Sequence, residues 1–78
     1  SFFIVRGVRN IYNYVAVISS DLELVAISGN DLIIKFHSGG IYRYLGASKE
    51  YNKLLNAESK GKYFYSFIKN NYKYKKEN

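Results

Sequence analysis

Leu32-Ile33-Ile34-Lys35-Phe36-His37-Ser38-Gly39-Gly40-Ile41-Tyr42-Arg43-Tyr44 holds two β-rich runs separated by a glycine turn. Apolar and β-branched residues fill the first run, Ser38-Gly39-Gly40 breaks it, and the second alternates tyrosine with arginine. Just upstream, Leu22 to Ile27 forms another apolar run, closed by the turn cluster Ser28-Gly29-Asn30-Asp31. Two short glycine-containing turns between three such runs predict a three-stranded antiparallel meander. No helix of ordinary length fits between those glycines.

The period changes from Ala47 onward. Ser48 is a good N-cap, Glu50 suits the positive end of a helix dipole, and Tyr51, Leu54 and Leu55 fall on one helical face. A second helix is expected from Ser59, with Phe64, Phe67 and Ile68 as its buried stripe and Tyr72 at its far end. The tail from Lys73 is expected to fray. Toward the other terminus, Val15, Val17 and the flanking aromatics favour a strand from about Ile11. Residues 2–8 are open to strand, helix or disorder. The expected fold is α+β: a small antiparallel three- to four-stranded meander followed by two helices packed on one face.

Seventy-eight residues allow one domain, and a chain this short buries a modest fraction of its surface. It has no cysteine and hence no disulfide, which suits a reducing, cytoplasmic setting. Nine tyrosines and five phenylalanines are the expected bulk of the core. The chain lacks an initiator methionine, as a trimmed chain or a fragment of something longer would. Its longest charge-free run, Asn10 to Ser20, is far short of the ~20 apolar residues that span a bilayer. No membrane partner is therefore expected.

The net charge of +6 is uneven. Residues 1–58 carry six Lys/Arg against five Asp/Glu, whereas residues 59–78 carry Lys60, Lys62, Lys69, Lys73, Lys75 and Lys76 against Glu77 alone. Charge concentrated in one segment suggests a surface for an anionic partner, and a solvated chain end is the plainer reading. Eight tyrosines come in Tyr-x-Tyr pairs: Tyr12/Tyr14, Tyr42/Tyr44, Tyr63/Tyr65 and Tyr72/Tyr74. Residues two apart on a strand share a face, so such a pair presents adjacent rings. In Tyr72-Lys73-Tyr74-Lys75-Lys76 rings alternate with cations, the combination that stacks bases and meets phosphates.

The meaning of Tyr42-Arg43-Tyr44 turns on register. With a three-residue Ser38-Gly39-Gly40 loop, both tyrosines share a face with Ile34 and Phe36 and belong to the core. With a two-residue Gly39-Gly40 loop, they join Lys35 and His37 on a wetter face and form a stacking platform. The size of the domain favours the core reading, and both remain open at this point. Ser59-Lys60-Gly61-Lys62 at a helix start is a candidate anion site, with Ser59 and Gly61 at the turn and two lysines beside it. It is not a P-loop, since the upstream glycine and the closing Lys-Ser/Thr are missing. The structural alternative is that Ser59 caps the helix and Gly61 permits a bend. His37 is the sole histidine, and a histidine at a strand end is usually a surface residue. The carboxylates are scattered, with Asp21 and Glu23 the closest pair and no further ligands for a metal. No catalytic residue, cofactor or metal site is read from the chain.

With these pieces in order, the sequence resembles the KTSC domain, a family found at the carboxy terminus of some lysyl-tRNA synthetases and as small bacterial and phage proteins. The likeness rests on Val17-Ile18-Ser19-Ser20, Leu32-Ile33-Ile34-Lys35-Phe36, Ser38-Gly39-Gly40-Ile41-Tyr42-Arg43-Tyr44 and Ser59-Lys60-Gly61-Lys62-Tyr63-Phe64, with Ile68 and Tyr72-Lys73-Tyr74. The chain departs from the family at Gly46-Ala47-Ser48, where a valine-proline is common, and at Tyr65, where an asparagine is common. The resemblance implies residues 1–14 as an extension of uncertain structure, 15–75 as one domain and 76–78 as a frayed basic tail. It also implies a suggested RNA-binding role and no catalytic residue.

The expected function is a non-enzymatic nucleic-acid-binding module, for RNA in particular. Lys60, Lys62, Lys69, Lys73, Lys75 and Lys76 would contact phosphates. Tyr72 and Tyr74 would stack on bases, with Tyr42, Arg43 and Tyr44 as a second surface. The alternative is a protein-binding module, such as a phage-encoded or accessory inhibitor of a larger host protein, because tyrosine and arginine are enriched at protein interfaces. The sequence leaves the oligomeric state open.

Overall fold

The apolar runs in the middle of the chain become strands because each is short, β-branched and bounded by a turn. The computed structural model describes residues 2–6 and 11–78, with side chains from residue 12 onward. Five strands come first: β1 (Phe2–Arg6), β2 (Ile11–Ala16), β3 (Leu22–Ser28), β4 (Asp31–Phe36) and β5 (Ile41–Tyr44). A 3₁₀ turn, Ala47–Glu50, runs directly into α1 (Tyr51–Asn56). The second helix, α2 (Lys60–Tyr63), widens into a π-helical turn, Phe64–Ile68, and the chain returns as β6 (Tyr74–Lys76). All neighbours pair antiparallel in the order β1-β2-β3-β4-β5-β6, giving six strands among the described residues.

The α+β class and the central meander stand as expected, while the strand number is corrected from three or four to six. The sheet already starts at Phe2, so residues 2–6 and 11–14 belong to it. The tail does not fray: Tyr74–Lys76 pairs with β5, which would otherwise be an open edge. The Leu45 amide donates to the Lys73 carbonyl at 2.8 Å and the Glu77 amide to the Ile41 carbonyl at 2.7 Å, extending the ladder at both ends. At the β3–β4 turn, Gly29 takes a φ of 61° opposite the Ser28–Asp31 pair, the position where type II′ hairpins place glycine.

Two apolar clusters lie on opposite faces of the sheet. On one face Leu22, Val25, Leu32, Ile34 and Tyr44 pack against Ala47, Leu54, Phe64 and Ile68, so both helices cover the same side. On the other, Tyr12, Tyr14, Leu24, Ala26, Ile33 and Ile41 form a second cluster. The sheet curls around it. The Tyr12 hydroxyl on β2 bonds the Glu77 carboxylate just past β6, although four strand spacings in a flat sheet would hold them about 19 Å apart.

Two helix details differ from expectation. Ser48 does not cap its helix: its amide donates to the Asn30 carbonyl at 2.9 Å, and the helical turn opens after Gly46. Phe67 is 53% exposed rather than buried. The Lys69 amide reaches back five residues to the Phe64 carbonyl, and this wider turn keeps Phe64 and Ile68 inward while Phe67 lies against Tyr63, with ring centroids 4.7 Å apart.

Candidate nucleic-acid interface

The β4–β5 register sets the face of the tyrosines. Ile34 opposes Tyr42 and Leu32 opposes Tyr44, so both rings lie on the helix side, as in the core reading. The loop has the three residues of the core reading but lies one residue upstream, His37-Ser38-Gly39, closed by the Phe36 amide donating to the Gly40 carbonyl at 2.9 Å. Gly40 is needed there, because an added Cβ would lie 2.8 Å from the Tyr42 ring. On β6, Tyr74 stands opposite Tyr44. Its ring centroid is 5.6 Å from that of Tyr42 and 5.9 Å from that of Tyr44.

Phe64 extends this set from the π turn, 5.4 Å from Tyr44 and 5.3 Å from Phe36, and Tyr65 follows it. The rings enclose a groove of about 270 Å³ between β5, β6 and the π turn, with Ser38 and Lys69 completing its lining. Tyr44 is its floor at 4% exposure, whereas Tyr74 at 59% and Tyr65 at 49% stand at its rims. Burial raises the ionisation of the Tyr44 phenol well above its ordinary value. The Lys69 ammonium lies 4.9 Å from the Tyr65 ring centroid. Lys76, opposite Tyr42, is on the groove side of β6 by strand alternation.

The remaining expected contacts lie elsewhere. Arg43 points to the opposite face, where it is tied to Asp31 at 2.6 Å, Glu77 at 3.3 Å, the Tyr12 hydroxyl at 3.2 Å and Ser28 Oγ at 3.3 Å. The Gly46 amide and the Arg43 guanidinium together hold the Asp31 carboxyl below its ordinary range. Lys75 sits opposite Arg43 on that same side, and Lys73 is exposed just ahead of β6. Tyr72 is parted from Tyr74 because it precedes the strand. Its hydroxyl and that of Tyr63 both donate to Glu50, each at 2.6 Å, which lowers the Glu50 carboxyl and raises both phenols to about 12.

At the start of α2, Ser59 Oγ accepts from the Lys62 amide at 3.3 Å, so the expected cap is present. Lys60 turns back to donate to the Ala57 carbonyl at 2.9 Å. The hollow beside it, about 480 Å³, is lined by Asp21 and Glu58 as well as by Lys60 and Lys62. An anion at Gly61 would meet the Asp21 carboxylate, which lies 3.4 Å from where a Cβ would stand. His37 Nε2 is 2.8 Å from the Ser19 carbonyl oxygen at the surface. Among the described residues no three His, Cys, Asp or Glu gather as a metal site, and no helix is long and apolar enough to cross a membrane.

Sequence reasoning selected Tyr42, Tyr44, Tyr74 and Lys69 of this groove, with Lys76 on the same side of β6, and missed Phe36, Ser38, Phe64 and Tyr65. The signal for Tyr65 was its place in the third Tyr-x-Tyr pair. Helical geometry separates that pair, sending Tyr63 to Glu50 and Tyr65 to the groove. The model of the KTSC domain family matches residues 28–72, more than half of the chain. The matched stretch runs from the end of β3 to Tyr72 and leaves Val17-Ile18-Ser19-Ser20 outside it. No curated protein matches the chain.

Proposed function

The chain belongs to the KTSC domain family, and on that premise we propose that it is a non-enzymatic module that binds nucleic acid, RNA in particular. The observation that supports this is the aromatic groove with Lys69 in its lining and Lys76 on the same side of β6. Exposed rings beside ammonium groups give bases something to stack on and phosphates something to pair with. Lys73 and Lys75 add positive potential from the flank, and Lys62 does so from the helix start. Arg43, Tyr72 and Lys60 are engaged within the fold and serve to hold the surface in shape. The absence of cysteine suits a cytoplasmic setting.

The test is fluorescence anisotropy of a labelled mixed-sequence RNA titrated at several salt concentrations. Binding should weaken steeply with salt, log K falling by about 0.7–0.9 per phosphate contact for each decade of salt. A Lys69→Ala/Lys76→Ala variant should bind more weakly with a shallower slope. Flat anisotropy at low salt, up to protein concentrations on the order of 100 μM, overturns the proposal and turns the search to a protein partner.

A further inference from the structure

We infer that the groove between β5, β6 and the π turn receives a single unpaired nucleotide, so that the substrate class is single-stranded nucleic acid. This rests on the nucleic-acid reading above and narrows it. The rims of the groove are ring faces and edges, Tyr74 and Tyr65, and its floor is Tyr44. Such a surface attracts a base through its π-face. Within a duplex that face is covered by the neighbouring base pairs, and only an unstacked base can offer it.

Size agrees with one occupant. At about 270 Å³ the groove falls below the roughly 300–1,000 Å³ of sites for drug-sized ligands. It suits one base rather than a base pair. Charge agrees as well. No carboxylate is among the described residues lining the groove, Lys69 lies beside the Tyr65 ring, and Lys76 shares the Tyr74 side of β6. A base between the rims would leave its phosphates within reach of these two ammonium groups. The Ser38 hydroxyl and the tyrosine hydroxyls of the lining are polar groups that can meet the edge of the base.

The experiment uses a short RNA with 2-aminopurine at one central position, as a single strand and in a blunt duplex, titrated with the whole chain at fixed low salt. The single strand should bind at least about tenfold more tightly, and its 2-aminopurine emission should be altered on binding by stacking on the rings. Tyr65→Ala and Tyr74→Ala should each lower single-strand affinity by about 5- to 150-fold and restore the emission, base–aromatic stacking having that worth. Tyr74 lies on a short strand, so Tyr65→Ala, on a helical surface, is the decisive variant if Tyr74→Ala melts early. Equal affinity for duplex and single strand, or an emission change that survives Tyr65→Ala, overturns the inference and leaves RNA binding standing. No binding of either RNA overturns both.

Discussion

β5 serves both faces of the sheet, and the two faces handle their side chains in opposite ways. On one side Arg43 meets Asp31, Glu77, Tyr12 and Ser28, so its guanidinium is surrounded by acceptors. On the other, Tyr42 and Tyr44 meet mainly other rings, and that cluster opens into a groove. Both sides contain aromatic and charged residues. What separates them is whether the charge already has a partner. A guanidinium with two carboxylates has little left for a phosphate, while the groove-side Lys69 and Lys76 are exposed, Lys69 beside the Tyr65 ring.

Removing Arg43 is the strongest challenge to this division. Arg43→Ala leaves Asp31 and Glu77 without their shared cation and removes one of the two hydrogen bonds at the Tyr12 hydroxyl, the one to Glu77 remaining. Hydrogen bonds to charged groups contribute about 1.5–3 kcal/mol each, so a loss of about 2–3 kcal/mol is expected in urea denaturation at neutral pH. RNA affinity of the folded fraction, measured well below the transition, should be nearly unchanged. A variant of normal stability that binds poorly would place Arg43 in the interface.

Hydrogen bonds from Tyr63 and Tyr72 lower the Glu50 carboxyl below the ordinary 4.5. The ionised form is favoured in the fold, so its contribution is present above about 4.5 and lost as pH falls through the lowered value. The two phenols are raised from 10.0 to about 12, so their contribution is present below 10 and lost as pH rises toward 12. Thermal unfolding should therefore show a plateau that falls off on both sides. Glu50→Gln should shallow both limbs, and phenol absorbance should show two groups returning toward 10. If the alkaline titration of Glu50→Gln matches the parent, the clamp does not form in solution.

The sequence made the meander legible because Gly29, Gly39 and Gly40 interrupt apolar runs at hairpin spacing, and it made the Ser59 cap legible for similarly local reasons. What it left out is non-local. β6 is three residues of tyrosine and lysine with no strand pattern of their own, and they pair because β5 offers an open edge on the helix side of the chain reversal. Ser48 looked like a cap, but the helical turn opens at Ala47, after the left-handed Gly46, and so encloses Ser48, whose amide bonds Asn30 far back in sequence. The groove was half visible: Tyr-x-Tyr gave Tyr42, Tyr44 and Tyr74, but Phe64 and Tyr65 join them through the packing of a π turn. The register that decided between core and platform gave a surface with both characters, a buried Tyr44 beneath an exposed Tyr74.

The finest test of the division uses adjacent residues. Lys75 and Lys76 carry the same charge and are both exposed, yet alternation sets Lys75 opposite Arg43 and Lys76 opposite Tyr42. Long-range potential treats them nearly alike, because they are neighbours within a Debye length of about 8–10 Å. Direct phosphate contact does not. Lys76→Ala should reduce the slope of log K against log salt by about 0.7–0.9, one contact's worth. Lys75→Ala should leave that slope within error and shift affinity only slightly. Equal slopes for the two variants would mean that β6 acts through net charge alone, with no preferred side. The reverse order would move the interface to the Arg43 face, and the groove would then be part of the core.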